Sequence, residues 1–327
     1  MKAAPQQPTR ALSFNRPVAW PMKWKIKSAV KDFKYRCALF FCLLARKRVP
    51  EKPLVRLYEE GLVSPDFARP VCFFCSYDAE SIVRENVYYY LDGLALAGFN
   101  IVFISSSDAI AKPDLERLSL SCVRIINREN KGYDFYGWKT ALEKYGEYKR
   151  HPGLLLANDS VFGPLFSIKD IITQFENCDA DIVGMTDSFH ICPHLQSYFL
   201  FCKKNVILSE EFTRFFQDVE VLALKIAVIR KYEVGFSRLL RGRFRLSALY
   251  GVETVLDRFD YRQRPMGWIE STFHFWKPLI SEFRFPFLKK SVLTRRGVPL
   301  EEVASVLVES GSLYDTDILH DWTGGRR

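Results

Sequence analysis

Hydrophobic and polar positions along residues 70–203 predict strands and helices in alternation. Short apolar runs, typical of buried strands, are followed by segments whose apolar residues recur at helical spacing. This alternation predicts an α/β fold with a mostly parallel central sheet flanked by helices. The predicted strands are 71–76, 100–104, 121–126, 154–157, 181–185 and 197–202, and the predicted helices are 79–97, 134–145 and 167–177.

Several predicted strands end in polar residues. The sequence places polar clusters at 76–78, 105–108 and 158–160, and a further polar turn at 130–134. Because the carboxyl ends of parallel strands meet at one edge of a sheet, we expect these clusters to line one crevice, where open α/β folds bind ligands. The alternative is that Ser, Asp and Asn cap the helices that follow, and the two roles can coexist.

The amino-terminal segment carries the positive charge. The formal net charge is +9, yet residues 1–50 hold twelve Lys or Arg and one acidic residue, while the rest holds 35 basic and 37 acidic residues. This near-neutral body argues against a nucleic-acid partner. Within 23–48, apolar residues follow helical spacing, and such a basic helix is typical of contact with an anionic membrane surface. The alternative is a helix packed on the body with a solvated basic face. The apolar positions are Ile26, Val30, Phe33, Cys37, Phe40, Phe41 and Leu44.

Composition supports a folded, cytosolic protein. Of the 327 residues, 48% are hydrophobic, which is enough for a substantial core. The eight cysteines lie mostly in apolar contexts, so we expect them to be reduced and buried. No apolar run reaches the ~18–20 residues of a membrane span.

We divide the chain into a basic tail and helix (1–50), a main domain (51–290) and a carboxy-terminal extension (291–327).

The chain contains, in this order, the segments NKGYDFYGWK (130–139), LLLANDSVFGPL (154–165), HLQSYFLF (194–201), YEVGFS (232–237) and HFWKPLI…FPFLKK (274–290). Together they resemble the rhamnan synthesis protein F family of bacterial polysaccharide glycosyltransferases. The resemblance implies a GT-A-like fold and transfer of a sugar, often L-rhamnose, from a nucleoside-diphosphate donor to a growing glycan.

A looser similarity to glycosyltransferase family 2 implies roles for the polar clusters. Asn158-Asp159-Ser160 stands where that family carries a DxD metal motif, but only Asp159 is a carboxylate. A Mg²⁺ or Mn²⁺ cofactor would then use Asp159 and His274, and the alternative is that Lys139 or Arg128 neutralises the donor diphosphate without metal. The implied donor-binding residues are Ser76, Tyr77, Asp108, Asn130, Gly132, Asp134, Lys139, Asn158, Asp159 and Ser160.

The resemblance also implies an acceptor side. An inverting transfer needs a carboxylate that removes the proton of the acceptor hydroxyl, and Glu233 is the first candidate and Asp187 the second. Glu233 could instead be a helix-end carboxylate favoured by the helix dipole. His194 and Gln196 are candidates for binding acceptor hydroxyls, although His194 could simply satisfy a turn.

The resulting hypothesis is a glycosyltransferase that moves a sugar, such as L-rhamnose from dTDP-rhamnose, onto a lipid-linked polysaccharide or lipopolysaccharide glycan. We expect it on the cytoplasmic face of the bacterial membrane as a peripheral protein. The alternative is a non-catalytic glycan-binding or assembly protein that has kept the fold, and the reduced DxD motif favours this alternative.

Overall fold

The central sheet contains nine strands in the computed structural model, which describes residues 10–11, 22–45, 53–259 and 266–324. All strands of the described residues, inside and outside this sheet, are β1 (Arg10–Ala11), β2 (Val55–Glu60), β3 (Val71–Ser76), β4 (Asn100–Ser105), β5 (Arg124–Arg128), β6 (Gly153–Asn158), β7 (Val161–Phe162), β8 (Ile182–Gly184), β9 (Asp187–Ser188), β10 (His194–Leu195), β11 (Phe199–Lys203), β12 (Leu246–Ala248) and β13 (Leu288–Lys289). The central sheet has the order β1-β12-β8-β11-β6-β3-β4-β5-β2, and β10-β9 and β13-β7 form separate pairs.

The sheet is mostly parallel, as the sequence predicts. Strands β3, β4, β5 and β6 pair in parallel, and β12 pairs in parallel with β8. Strand β11 lies between β6 and β8 and runs antiparallel to both, so β8 and β12 point the same way as β6. Strands β1 and β2 form antiparallel edges. The hydrophobic pattern located β11 but could not give its direction, because strand direction depends on connections rather than on periodicity.

Helices cover both faces of the sheet. They are α1 (Met22–Ala45), α2 (Glu85–Leu96), α3 (Lys112–Ser119), α4 (Tyr133–Lys144), α5 (Ile171–Asn177), α6 (Lys204–Ile207), α7 (Glu210–Gln217), α8 (Lys225–Val228), α9 (Val234–Leu240), α10 (Val252–Arg258), α11 (Ser271–His274), α12 (Trp276–Phe283), α13 (Lys290–Thr294), α14 (Leu300–Glu309) and α15 (Asp317–Gly324). Two 3₁₀ turns span Gly146–Arg150 and Met266–Trp268, and a π-helical turn spans Ile229–Glu233. No described helix is both long and apolar enough to cross a bilayer.

The helix predicted over 79–97 begins later than expected, at Glu85. The preceding loop is held by Asp78, whose carboxylate accepts hydrogen bonds from the backbone N–H of Glu80 (2.8 Å) and from Nε of Arg84 (2.6 Å). An Asp side chain that bonds the backbone two residues on favours a turn over a helix. Local turn chemistry therefore overrides the apolar spacing of the first residues.

The core is divided by the sheet. Successive residues of β3 point to opposite faces, so Phe73 and Cys75 pack in one apolar cluster while Cys72 and Phe74 pack in the other. The seven described cysteines form no disulfide. A third cluster joins Phe162 and Trp276 to residues of the last three helices, so residues 291–324 pack on the main body.

The strand register brings the polar strand ends together. Ser76 of β3 pairs with Ser105 of β4, Ser105 pairs with Asn127 of β5, and Cys75 pairs with Asn158 of β6. The ends of four parallel strands therefore lie at one edge of the sheet. The polar clusters that follow β3, β4 and β6 share that edge, where the sequence predicts a crevice.

Candidate functional site

A cavity of about 670 Å³ opens at this edge of the sheet. Its walls come from the end of β6, the start of α4, the segment around β9 and β10, the helix that contains Glu233, the start of α13, and α1. The charged and histidine side chains that line it are Lys31, Asp134, His190, His194, Lys225, Glu233, Glu270, His274, Lys289, Lys290 and Arg295. Anionic and cationic groups thus share a space large enough for a drug-sized ligand.

The turn before α4 carries Asp134 into the cavity. Gly132 adopts φ +82°, and a Cβ at this position would lie 2.7 Å from Cβ of Tyr136, so the turn requires glycine. The fully buried Arg128 organises the same turn, because its guanidinium donates to the carbonyls of Glu129, Lys131 and Tyr133 at 2.7–2.8 Å. Arg128 therefore builds the loop.

Asp134 is joined to the end of β6. Nδ2 of Asn158 donates to Oδ2 of Asp134 at 2.9 Å, and Oδ1 of Asn158 accepts from the N–H of Ser160 at 3.1 Å. Burial, and then the nearby Asp159 carboxylate, raise the pKa of Asp134 to about 6, against the opposing effect of Lys225. Because burial makes ionisation of this carboxyl group unfavourable, a cation bound beside it would stabilise the charged form.

Asp159 is already paired with a cation. Its Oδ2 lies 3.3 Å from Nζ of Lys290 and accepts a hydrogen bond from Oγ of Ser76, also at 3.3 Å. Lys290 comes from the FPFLKK segment, and its pairing with Asp159 is not predicted by the sequence pattern. Thus Ser76, Asp134, Asn158 and Asp159 form one connected group next to the cavity.

Glu233 lines the cavity from a distorted helix. Helices α8 and α9 are continuous through the π-helical turn, and Glu233 is its last residue rather than the head of a helix. Its Oε1 accepts from the N–H of Ser197 at 3.2 Å. π-helical turns inside α-helices occur often at functional sites, because the extra residue redirects a side chain.

A third carboxylate in the lining of the cavity, Glu270, is one that the sequence pattern does not predict. It is paired with the ammonium of Lys289. Burial alone would raise the pKa of Glu270, but Lys289, Gln196 and His274 outweigh it and hold this pKa below its usual range. Glu270 lies between the quoted segments, so only tertiary contact reveals it.

The two predicted acceptor residues also line the cavity. Gln196 hydrogen-bonds the carboxylate of Glu270 and accepts from Oγ1 of Thr186 at 2.7 Å. Nδ1 of His194 lies 2.8 Å from the carbonyl oxygen of Cys192, which is the turn contact that the sequence analysis gave as the alternative for this residue.

Helix α1 closes the cavity beside Glu233. Its residues Lys31 and Tyr35 are part of the lining, and the phenol ring of Tyr35 lies edge-on to His190 with 5.1 Å between ring centroids. Burial and then the Glu233 carboxylate raise the pKa of Tyr35, while Arg295 opposes the shift. Tyr35, Glu233 and Arg295 therefore line the same cavity and influence one another electrostatically.

Several predicted site residues lie elsewhere. Lys139 donates to the carbonyls of Gln217 (2.7 Å) and Val219 (2.8 Å), so it ties α4 to the segment after α7. Oδ1 of Asp187 accepts from the N–H of Val252 at 2.7 Å and so caps α10. Tyr77, Asp108 and Asn130 are also absent from the described lining of the cavity.

The two proposed metal ligands do not form a closed site. Nδ1 of His274 lies 3.0 Å from the backbone carbonyl oxygen of Glu270, and the Asp159 carboxylate is bound by Lys290. In the part of the chain that the structure describes, no group of three or more His, Cys, Asp or Glu side chains is placed to share a cation.

Curated relatives cover part of the chain. An uncharacterized protein, y4gN of Sinorhizobium fredii, is 30% identical over 208 residues, which are 58% of this chain and 54% of that protein. The virulence protein VirA of Vibrio anguillarum is 26% identical over 226 residues, which are 63% of this chain and 65% of that protein. The chain therefore spans between half and two thirds of the length of these relatives.

Two solved structures show loose likeness. A putative nucleotide-diphospho-sugar transferase from Desulfovibrio desulfuricans has 13% identity and a TM-score of 0.34, covering 73% of this chain and 97% of its own. The mannosyltransferase PcManGT from Pyrobaculum calidifontis, in complex with GDP-Man and Mn²⁺, has 9% identity and a TM-score of 0.35, covering 68% and 65%. Superpositions this loose do not bear on function.

The chain also matches a sequence model of a protein family. The sequence model described as rhamnan synthesis protein F matches residues 101–320. The match takes in α4, β6, the Glu233 helix and the FPFLKK segment, and it continues past residue 290 into α14 and α15. The chain belongs to the rhamnan synthesis protein F family.

Proposed function

We propose that this protein is a glycosyltransferase of polysaccharide synthesis that transfers a sugar from a nucleoside-diphosphate donor to a glycan. One observation carries the proposal: in a member of this family, Asp134, Asn158 and Glu233 line one cavity at the carboxyl edge of the parallel strands, and Asp159 adjoins it. The family name favours L-rhamnose, supplied as dTDP-rhamnose, as the transferred sugar. A GT-A-like arrangement of donor and acceptor fits this edge of the sheet.

The donor would bind at the strand ends. A nucleoside diphosphate needs cationic groups and hydrogen-bond donors around its phosphates. Lys225, Lys290 and Arg295 line the cavity and supply positive charge. The Asn158–Asp134 pair and Ser160 would then contact the sugar or ribose hydroxyls, because a carboxylate accepts hydrogen bonds from hydroxyls and a side-chain amide both donates and accepts them.

The acceptor would bind beside Glu233. In an inverting transfer, the acceptor oxygen attacks the anomeric carbon, the bond from that carbon to the diphosphate oxygen breaks, and the diphosphate leaves with the electron pair. The proton of the acceptor hydroxyl passes to the Glu233 carboxylate. Asp187 remains the second candidate for this base, although its carboxylate is engaged by α10. His194 and Gln196 would orient the acceptor.

A divalent cation would act at Asp159, but the residues present do not fit a cation held by protein ligands alone. Lys290 already occupies one carboxylate oxygen of Asp159. Mg²⁺ in nucleotide sites is held by one or two carboxylates with phosphate oxygens and water, so the donor itself would have to complete the coordination. No step of the mechanism above passes through the cation, and transfer assays with Mg²⁺, Mn²⁺ and a chelator test the requirement.

The acceptor that we propose is a lipid-linked polysaccharide or lipopolysaccharide glycan on the cytoplasmic face of the bacterial membrane. This location is supported by the basic amino-terminal segment, which holds twelve Lys or Arg and one acidic residue in residues 1–50. Anionic lipid headgroups attract such segments by about 1 kcal/mol per Lys or Arg near the surface.

A panel of nucleotide sugars with a lipid-linked glycan extract tests the function. We expect transfer from one donor, loss of at least about 100-fold in kcat for Glu233→Gln, and a similar loss for Asp159→Asn. Glu143→Gln, an exchange of the same kind on the outer side of α4, is the matched control and should keep full activity.

The competing function is non-catalytic glycan binding, which the single carboxylate of Asn158-Asp159-Ser160 favours. Glycan binding without hydrolysis or transfer of any donor would establish it. If Asp159→Asn keeps near-normal turnover, the protein is an enzyme but Asp159 is not part of its donor site.

A further inference from the structure

Helix α1 has two faces of opposite character. The face toward the body is polar: Asp32 pairs with Arg230, the ammonium of Lys31 lies 4.4 Å from the ring centroid of Trp268, and Tyr35 enters the cavity. Leu39 adds an apolar contact with the core on the same side. The helix is thus held on the body by charged and aromatic contacts.

The opposite face of α1 is apolar and exposed. At 100° per residue, its side chains lie on the far side of the helix from Tyr35. This face runs along the whole helix, whereas soluble proteins rarely expose a contiguous apolar surface of this kind without a partner. The residues and their exposed fractions are Ile26 (58%), Val30 (50%), Phe33 (66%), Phe40 (59%), Phe41 (64%) and Leu44 (44%).

The charge around this apolar face indicates which kind of partner binds it. Lys27, Lys34 and Arg36 are exposed on the flanks of the apolar face, and twelve of the thirteen charged residues in 1–50 are basic. Two copies of the chain docked through this face would bring two such basic segments together, at an electrostatic cost. An anionic bilayer instead offers an apolar interior beneath a negative surface, which matches both the face and its flanks.

We propose that α1 is a two-sided docking helix: its Phe33–Phe40–Phe41 face lies in the interface of an anionic bilayer, while Lys31 and Tyr35 on its other face form part of the cavity wall. Since Tyr35 and Glu233 line the same cavity, docking would hold this cavity at the membrane surface. This last consequence rests on the proposed glycosyltransferase function, whereas the docking does not.

Sedimentation of the full-length protein with vesicles tests the docking. Phosphatidylcholine vesicles with phosphatidylglycerol are expected to bind the protein, and high salt or omission of phosphatidylglycerol should weaken binding. Phe40→Glu with Phe41→Glu should lower the partition coefficient about 100-fold, since each exposed Phe that enters the interface contributes about tenfold. The matched control is Leu96→Glu with Leu313→Glu, which changes the charge equally at residues that are 80% and 94% exposed outside α1.

Urea unfolding of all variants checks that they fold, and the outcomes separate the possible occupants. Equal vesicle binding by the Phe double variant and the control would overturn the proposal. The proposal would also be overturned if the unaltered protein did not bind vesicles but formed dimers, and the Phe double variant did not form them. In that case α1 would bind a second copy of the chain. Absence of both vesicle binding and dimers would overturn it in favour of a protein partner.

Transfer assays then separate docking from function. We expect the Phe double variant to lose transfer to a glycan acceptor presented on vesicles at least about tenfold while keeping transfer to a soluble glycan. Equal loss with both acceptors would refute the link between docking and the cavity. If no protein transfers sugar but the vesicle results hold, the proposed function fails and the docking stands.

Discussion

Asp187→Asn provides a sharp test of the division between structural and catalytic carboxylates. The Asp187 carboxylate is 4% exposed, and Oδ1 accepts from the N–H of Val252 at 2.7 Å. Burial raises the pKa of Asp187 to about 6, from an ordinary value of 3.8. Asparagine keeps the accepting oxygen for α10 but removes the charge that burial disfavours.

The magnitude follows from linkage. A folded pKa about 2 units above the unfolded value corresponds to about 3 kcal/mol of stability lost when the carboxyl is ionised in both states. At pH 8 the Asn variant should therefore unfold with a free energy up to about 3 kcal/mol higher than the unaltered protein. As the pH falls through about 6 the folded protein takes up this proton, so the advantage should shrink and vanish near the unfolded pKa of 3.8.

Urea unfolding at pH 8, 6.5 and 5 measures this difference, and Asp187→Ala is the control because it leaves the N–H of Val252 without its acceptor. The Ala variant should gain less than the Asn variant, by about 1 kcal/mol, the usual cost of losing a cap. A difference between Asn variant and unaltered protein that does not change with pH would refute the reasoning. Under the proposed mechanism Asp187→Asn keeps transfer activity, whereas abolished transfer in a folded variant would make Asp187 the base.

Two further substitutions test the donor side. Gly132→Ala should lower the free energy of unfolding by about 2 kcal/mol, because φ of +82° is strained for alanine and its Cβ would meet Tyr136 at 2.7 Å. The control is Gly146→Ala, which should not destabilise because a Cβ there has nothing within 4 Å. Urea unfolding measures both variants, and equal stabilities would contradict the assigned turn. Lys290→Ala should weaken binding of a nucleoside diphosphate about tenfold or more, measured by calorimetry, because the cavity loses a cation beside Asp159. Lys277→Ala, at a lysine exposed beside Glu302, is the control and should bind normally.

The sequence predicts the polar edge of the sheet well, for a physical reason. An apolar run that ends at Ser76 or Asn158 marks both a buried strand and its carboxyl end, and both signals are local. Parallel pairing then requires these ends to meet, and the observed register pairs Cys75 with Asn158 and Ser76 with Ser105. Local pattern and a simple rule of topology are enough at this edge.

The sequence does not predict which charges are paired. Lys290 and Asp159 are 131 residues apart, and Glu270 meets Lys289 only through the packing of α11 against β13. Lys139 follows the polar turn by a few residues and so suggested a phosphate ligand, yet it lies on the side of α4 that faces the segment after α7. Hydrophobic periodicity carries no information on such contacts, and the same holds for the π-helical turn at Glu233.

The position of α1 gives the cavity a direction. Asp134, Asn158 and Ser160 form the end of the cavity at the strand edge, where Lys290 and Asp159 supply opposite charges. Tyr35 of α1 and Glu233 line the same cavity. A nucleoside-diphosphate donor is water-soluble and reaches the strand edge from solution, whereas a lipid-linked glycan can approach only from the bilayer. If α1 docks as proposed, the cavity that Glu233 lines is held next to the bilayer surface, which keeps it near the glycan of such an acceptor. Asp159 is paired with Lys290 and Asp134 is hydrogen-bonded by Asn158, whereas Glu233 accepts from the backbone N–H of Ser197, and this difference is the physical reason to prefer Glu233 as the base.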